Sequence, residues 1–192
     1  MSDNREKILL CSGILMEKRG YCGTGLNEII QNSGAPKGSL YYYFPDGKEQ
    51  IASEVAIRAG EIIAQRIRDM SKIYSEPSEA IFEFLKQIAK KMEENDFHSG
   101  STITMMAMES VTQSKRINQA CQEAYLTIIN ALKEVLMDGG VEAERAQGMA
   151  EIIISAIEGG IILSRTFQSP DYIRRVADRI KQMLNSTPNN QP

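Results

Sequence analysis

A chain of 192 residues, 42% apolar and with a formal charge of −3, is too rich in core-forming side chains for wholesale disorder. It is also too poor in surplus cations to hold nucleic acid by counterion release alone. The three cysteines, Cys11, Cys22 and Cys121, are an odd number without a C-x-x-C pair, which excludes a zinc finger or a disulfide framework and fits reduced thiols.

Helical periodicity runs through nearly the whole chain, and no alternating strand pattern of useful length interrupts it. The first helix is expected over residues 5–18, with Ile8, Leu9, Ser12, Leu15 and Met16 inward and Gly20 as its stop. Its apolar run is followed by Glu17-Lys18-Arg19 and no small-residue cleavage site, so it reads as an amphipathic helix and not a leader. No stretch reaches the ~18 uninterrupted apolar residues of a membrane span; the expectation is a cytoplasmic protein with no membrane partner. Thr24 is placed to cap a second helix whose Leu26, Ile29 and Ile30 share one face. Gly34 sits where that helix would end in the left-handed region, and Pro36 opens a short third helix. Asp46-Gly47-Lys48-Glu49 opens a long fourth helix with Ile51, Val55, Ile62 and Ile67 near one face. A break follows at 75–79, with Ser75 or Ser78 as cap.

Farther on, residues 81–92 form an amphipathic helix, 95–100 a loop, 102–111 a methionine-rich helix and 117–137 a long one stopped by Asp138-Gly139-Gly140. Residues 142–167 and 172–184 complete the set, reset between them by Ser169-Pro170-Asp171, and the polar tail 186–192 is expected to be disordered. The reading is an all-α chain of about nine helices. An N-terminal three-helix domain (1–63) carries a helix-turn-helix at 25–44, and a C-terminal helical domain spans 64–185.

Helix, glycine turn, helix is the layout whose second helix enters the DNA major groove. Within 36–44, Leu40 and Phe44 are four apart and should face the core. That leaves Lys37, Gly38, Ser39, Tyr41, Tyr42 and Tyr43, with Thr24 and Lys48, as candidates for double-stranded DNA. Lys37 and Ser39 lie where the helix dipole favours phosphate, and Lys37 also suits guanine acceptors. Gly38 allows close backbone approach, tyrosine suits thymine methyls and phosphate oxygens, and Lys48 is placed to clamp a phosphate. Residues 1–50 balance six basic side chains (Arg5, Lys7, Lys18, Arg19, Lys37, Lys48) against six acidic ones (Asp3, Glu6, Glu17, Glu28, Asp46, Glu49). Such a segment must bind through few, well-placed contacts and in two copies.

Thr24-Gly-Leu-Asn-Glu-Ile-Ile and Gly34-Ala-Pro-Lys-Gly-Ser-Leu-Tyr-Tyr-Tyr-Phe-Pro-Asp-Gly-Lys-Glu-Gln-Ile resemble the tetracycline-repressor (TetR/AcrR) family of one-component transcriptional regulators, over residues 5–63. Tyr43 stands where many members carry histidine. The wording is most similar to a branch that represses multidrug-efflux and flavonoid-responsive genes. The resemblance implies a C-terminal domain that binds a small apolar or aromatic inducer and forms the homodimer, and a repressor released from a palindromic operator.

For the homodimer, a stripe through Ala146, Met149, Ile153, Ala156, Ile157, Gly160, Ile161 and Ser164 can pair with Tyr172, Ile173, Val176, Ile180 and Leu184 of the last helix. Together they would make an intersubunit four-helix bundle from about 145–165 and 171–184; an ordinary intramolecular core is the alternative. Phe84, Met105, Met106, Met108, Tyr125 and Ile129 are candidates for an adaptable effector pocket, with Glu109 or His98 as polar handle. No cofactor, metal site or catalytic residue is expected. The single histidine stands without a cysteine partner, and there is no H-E-x-x-H and no phosphate loop, which argues against an enzyme. A helical adaptor that has lost DNA binding stays open as an alternative, favoured by the missing basic surplus.

Overall fold

The computed structural model describes residues 3–97, 101–110 and 114–186. Among these residues the secondary structure is helical throughout. The elements are α1 (Asp3–Arg19), α2 (Leu26–Ser33), α3 (Lys37–Tyr43), α4 (Gly47–Ile73), α5 (Pro77–Glu94), α6 (Thr102–Ser110), α7 (Lys115–Asp138), α8 (Ala143–Thr166) and α9 (Asp171–Asn185). They divide into two compact units, residues 1–60 with 101–125, and residues 61–100 with 126–192.

In the first unit α1 packs on α2, α3 and α6. Ile8, Leu9, Ser12, Leu15 and Met16 are all buried, as the spacing predicts. The Ser12 hydroxyl donates to the Ile8 carbonyl one turn back, so it enters the core with its proton satisfied. Gly20 ends α1 at φ 74° and Gly34 ends α2 at φ 66°, the left-handed geometry that favours glycine. Ile29, Leu40, Phe44 and Ile51 are fully buried and unite α2, α3 and the start of α4 in one core. Ile103, Met106 and Ile117 are buried as well, with α6 against α1. Residues 101–125 therefore belong with the N-terminal 60 residues, whereas a division at 63/64 would place them elsewhere. At Gly60 the helices α4 and α7 meet backbone to backbone: a Cβ there would lie 2.7 Å from the Ala124 Cα.

In the second unit α9 packs along α5 and α8. Ile81, Leu85 and Ala89 of α5 are buried, as are Ile173, Ala177 and Ile180 of α9. Pro77 occupies the first turn of α5, where its missing N–H leaves no donor unpaired. Glu142 caps α8, its carboxylate accepting the Glu144 and Arg145 amides. Those amides hold the Glu142 carboxyl below its ordinary pKa. Among the described residues α8 is the one helix long and apolar enough to cross a membrane, by length and composition only; its buried face packs on α9.

Several local expectations are corrected. Thr24 does not cap α2: Gly25 is the N-cap, without a side-chain bond, because the Thr24 hydroxyl turns back to donate to the Gly20 carbonyl. Neither Ser75 nor Ser78 caps α5; Glu76 takes that position without a side-chain bond, and Ser78 is buried. Ile62 is exposed and off the buried face of α4. The proposed dimer stripe is the protomer's own core: Ala146, Met149, Ile153, Ile157, Ile161 and Ser164 are buried, and a Cβ at Gly160 would meet Ile173 of α9 at 3.0 Å. The face left exposed on α8 is offset from it, at Ile152, Ile162 and Leu163. His98 and residues 187–192 lie outside the described residues.

Candidate DNA-binding surface

The seven-residue α3 is held from below by two anchors. Leu40 and Phe44 have no exposed surface, and the Phe44 amide donates back to the Leu40 carbonyl at 2.8 Å. Four-residue spacing between the anchors turns the intervening side chains outward. Tyr42 is 78% exposed and Tyr41 47%, both far above the usual burial of an aromatic ring. Tyr43 is half-buried and meets the Tyr42 ring edge-on, centroids 4.8 Å apart. Lys37 and Gly38 are exposed, and a Cβ at Gly38 would have open space around it. Ser39 is half-buried, its hydroxyl accepting from the Asn4 side chain at 3.5 Å.

The exit of α3 is fixed by a chain of polar side chains. The Gln50 amide nitrogen donates to the Tyr43 carbonyl and to Glu54, while its oxygen accepts from the Asp46 amide. Glu54 in turn pairs with Arg5 of α1, whose guanidinium lies 5.4 Å from the centroid of the Phe44 ring. Arg58 pairs with Glu6 and holds that carboxyl below its ordinary pKa. Arg5 and Gln50 are positioning residues that the linear reading does not single out. The Asp46–Gln50 bond is local in sequence, whereas the Arg5 partners Glu54 and Phe44 lie far along the chain.

Two candidates have other work. Thr24 is 1% exposed, its hydroxyl committed to Gly20, so its side chain faces the core and no groove. Lys48 donates to the carbonyls of Tyr21 and Thr24, 3.0 Å each, with its ammonium 4.2 Å from the Tyr21 ring centroid. It ties the start of α4 to the α1–α2 turn.

An anchored helix offering exposed tyrosines and a lysine after a glycine turn has close parallels among known proteins. Residues 14–55 match the family described as bacterial regulatory proteins, tetR family, and residues 77–179 match the C-terminal domain described as transcriptional regulator LmrA/YxaF-like. The HTH-type transcriptional regulator LmrA of Bacillus subtilis is 38% identical over 95% of this chain and 97% of its own length. The chain belongs to the TetR family of bacterial regulatory proteins. Within it, the HTH-type transcriptional repressor NemR of Escherichia coli is 25% identical over 71% of this chain and 69% of its own. The crystal structure of a TetR transcriptional regulator from Legionella pneumophila superposes with a TM-score of 0.83 at 26% identity, covering 95% and 98% of the two chains. This TetR-family chain is a DNA-binding transcriptional regulator and not an enzyme.

The effector candidates are divided between the two units. Met105, Met106, Met108, Glu109 and Tyr125 lie in the first, Phe84 and Ile129 in the second. Met106 and Phe84 are buried, and Met108 is 72% exposed. The Tyr125 and Thr104 hydroxyls are hydrogen-bonded at 3.2 Å. Glu109, expected as a polar handle, accepts the Cys22 amide at 2.8 Å.

Proposed function

We propose that this regulator is a homodimeric repressor that reads a palindromic operator through paired α3 helices and is released by a small apolar or aromatic inducer. The observation that carries the reading is α3 itself, with Leu40 and Phe44 anchored and Tyr41, Tyr42 and Lys37 turned to solvent. Two copies set about 34–36 Å apart would meet successive major grooves on one side of a duplex. Tyr43, Gly38 and Ser39 complete the reading surface, while Thr24 and Lys48 support it from behind.

The dimer is proposed to form through the exposed side of α8 and α9. There Ile152, Ala156, Leu163, Tyr172, Val176 and Met183 line an open apolar groove of ≈ 380 Å³, and exposed aliphatic surface of that kind favours burial against another copy. The inducer is proposed to act from the methionine-rich α6, with Met105, Met106 and Tyr125 as contacts, and the regulated gene to serve efflux or detoxification in the cytoplasm. The similarity to NemR, a transcriptional repressor, and the family's usual response to small effectors support these points.

The test is selection of duplexes by the full chain from a random-sequence pool, followed by titration at fixed salt. A two-fold-symmetric consensus is expected. Recovery of an asymmetric site bound by one copy would overturn the dimeric reading.

A further inference from the structure

We propose, building on the DNA-reading assignment above, that Glu109 is a positioning residue for DNA reading, holding the α1–α2 turn from α6 so that α2 enters the fold at the angle that α3 requires. The turn, residues 20–25, is closed from within by the Thr24 hydroxyl on the Gly20 carbonyl, and no side chain of its own reaches the Cys22 amide. Its internal backbone bond from Thr24 to Tyr21 is long, at 3.3 Å, and α2 begins at Gly25 without a side-chain cap. Side chains from elsewhere supply what is missing. The Glu109 carboxylate takes the Cys22 amide, and the Lys48 ammonium takes the Tyr21 and Thr24 carbonyls.

An anion on the amide and a cation on the carbonyls are the strong form of hydrogen bond for each partner. The backbone is shaped to receive the anion: a Cβ at Gly20 would lie 1.9 Å from Glu109 Oε1, so any side chain there would displace the carboxylate. The same stretch of chain grips the far side of the reading helix. Ser114 bonds the Glu49 carboxylate while accepting the Ile117 amide, and Arg116 pairs with Asp46. Glu109, Ser114 and Arg116 thus hold both flanks of α2–α3, the turn before and the start of α4 after.

The experiment uses the full chain and a duplex that the parent selects from a random pool. Glu109→Ala should bind that duplex about three- to tenfold more weakly at matched salt, the loss of one solvent-exposed hydrogen bond. Glu109→Gln, whose amide oxygen can accept the same N–H, should stay within about twofold of the parent. By reciprocity, bound duplex should slow hydrogen exchange in the peptide covering 102–110 of the parent. Equal affinity for Glu109→Ala and parent, or Glu109→Gln as weak as Glu109→Ala, overturns the role while leaving DNA reading intact. If Glu109→Ala does not fold, unchanged exchange at 102–110 in the parent on binding overturns it. A parent that selects no duplex overturns the DNA-reading assignment and this inference together.

Discussion

Tyr42 and Lys48 stand close together in the chain, yet the fold gives them different work. Tyr42 projects into solvent with the Tyr43 ring edge-on beside it, so on the proposed reading truncation removes a DNA contact and little packing. Tyr42→Ala should weaken operator binding by about 1–2 kcal/mol, roughly five- to thirtyfold, with the melting temperature unchanged in a thermal scan. Lys48→Ala removes two bonds to backbone carbonyls and should lower stability by about 1–3 kcal/mol as well as affinity, seen in denaturant titration. The cysteines separate by burial. Desolvation raises the Cys121 thiol to about 11, leaving roughly one thiolate in a thousand at pH 8, whereas Cys22 is exposed. Iodoacetamide should alkylate Cys22 in the folded chain and Cys121 only after denaturation, as mass spectrometry of timed digests would register. Inward and outward positions on α3 were legible in the sequence because they follow from helical spacing alone. The partners of Lys48 and Glu109 were not, since a long flexible side chain is committed by tertiary neighbours that no local window contains.

Among the elements, the helix ends divide along the same line. Glycine stops at 20 and 34 announce themselves, because positive φ is a property of one residue. Caps are less legible: Thr24 has the right chemistry for one but bends back to Gly20, and α2 starts at a bare glycine. Glu142 makes the opposite case, an acid that caps with its carboxylate. Its folded pKa lies below the unfolded value of about 4.3, lowered first by the amide bonds of Glu144 and Arg145. The contribution is therefore complete above the unfolded pKa and disappears as pH falls through the folded one. Glu6, depressed by its bond to Arg58, has the same sign. Stability should decline with acid below about pH 4.5, and Glu142→Gln should flatten part of that decline in denaturant titrations across pH. The anchor of α3 is a matter of volume. Phe44→Ala empties a fully buried site and should reduce stability by about 3–5 kcal/mol, abolishing DNA binding with it, checked by urea denaturation.

For the molecule as a whole, the all-helical class and the order of helices follow from periodicity, but the grouping into units does not. Residues 101–125 join the N-terminal unit because Ile103, Met106 and Ile117 bury themselves there, a pairing distant in sequence and invisible to it. Of the stripe read on α8, most positions are buried within the chain while Ala156 lines the open groove, since an apolar helix with two apolar faces does not announce which one its own chain covers. Replacing Ile152 and Leu163 together by glutamate places charge on the uncovered face without touching the core. The double variant should sediment as a monomer, hold its helical content, and lose operator affinity by at least tenfold, since a single copy engages only one half-site. The crossing of α4 and α7 at Gly60 carries a different consequence. With a Cβ there only 2.7 Å from the Ala124 Cα, even one methyl leaves no rotamer to choose, and two rods must bow apart instead. Hydrogen is thus the one substituent at position 60 that keeps the rods in touch.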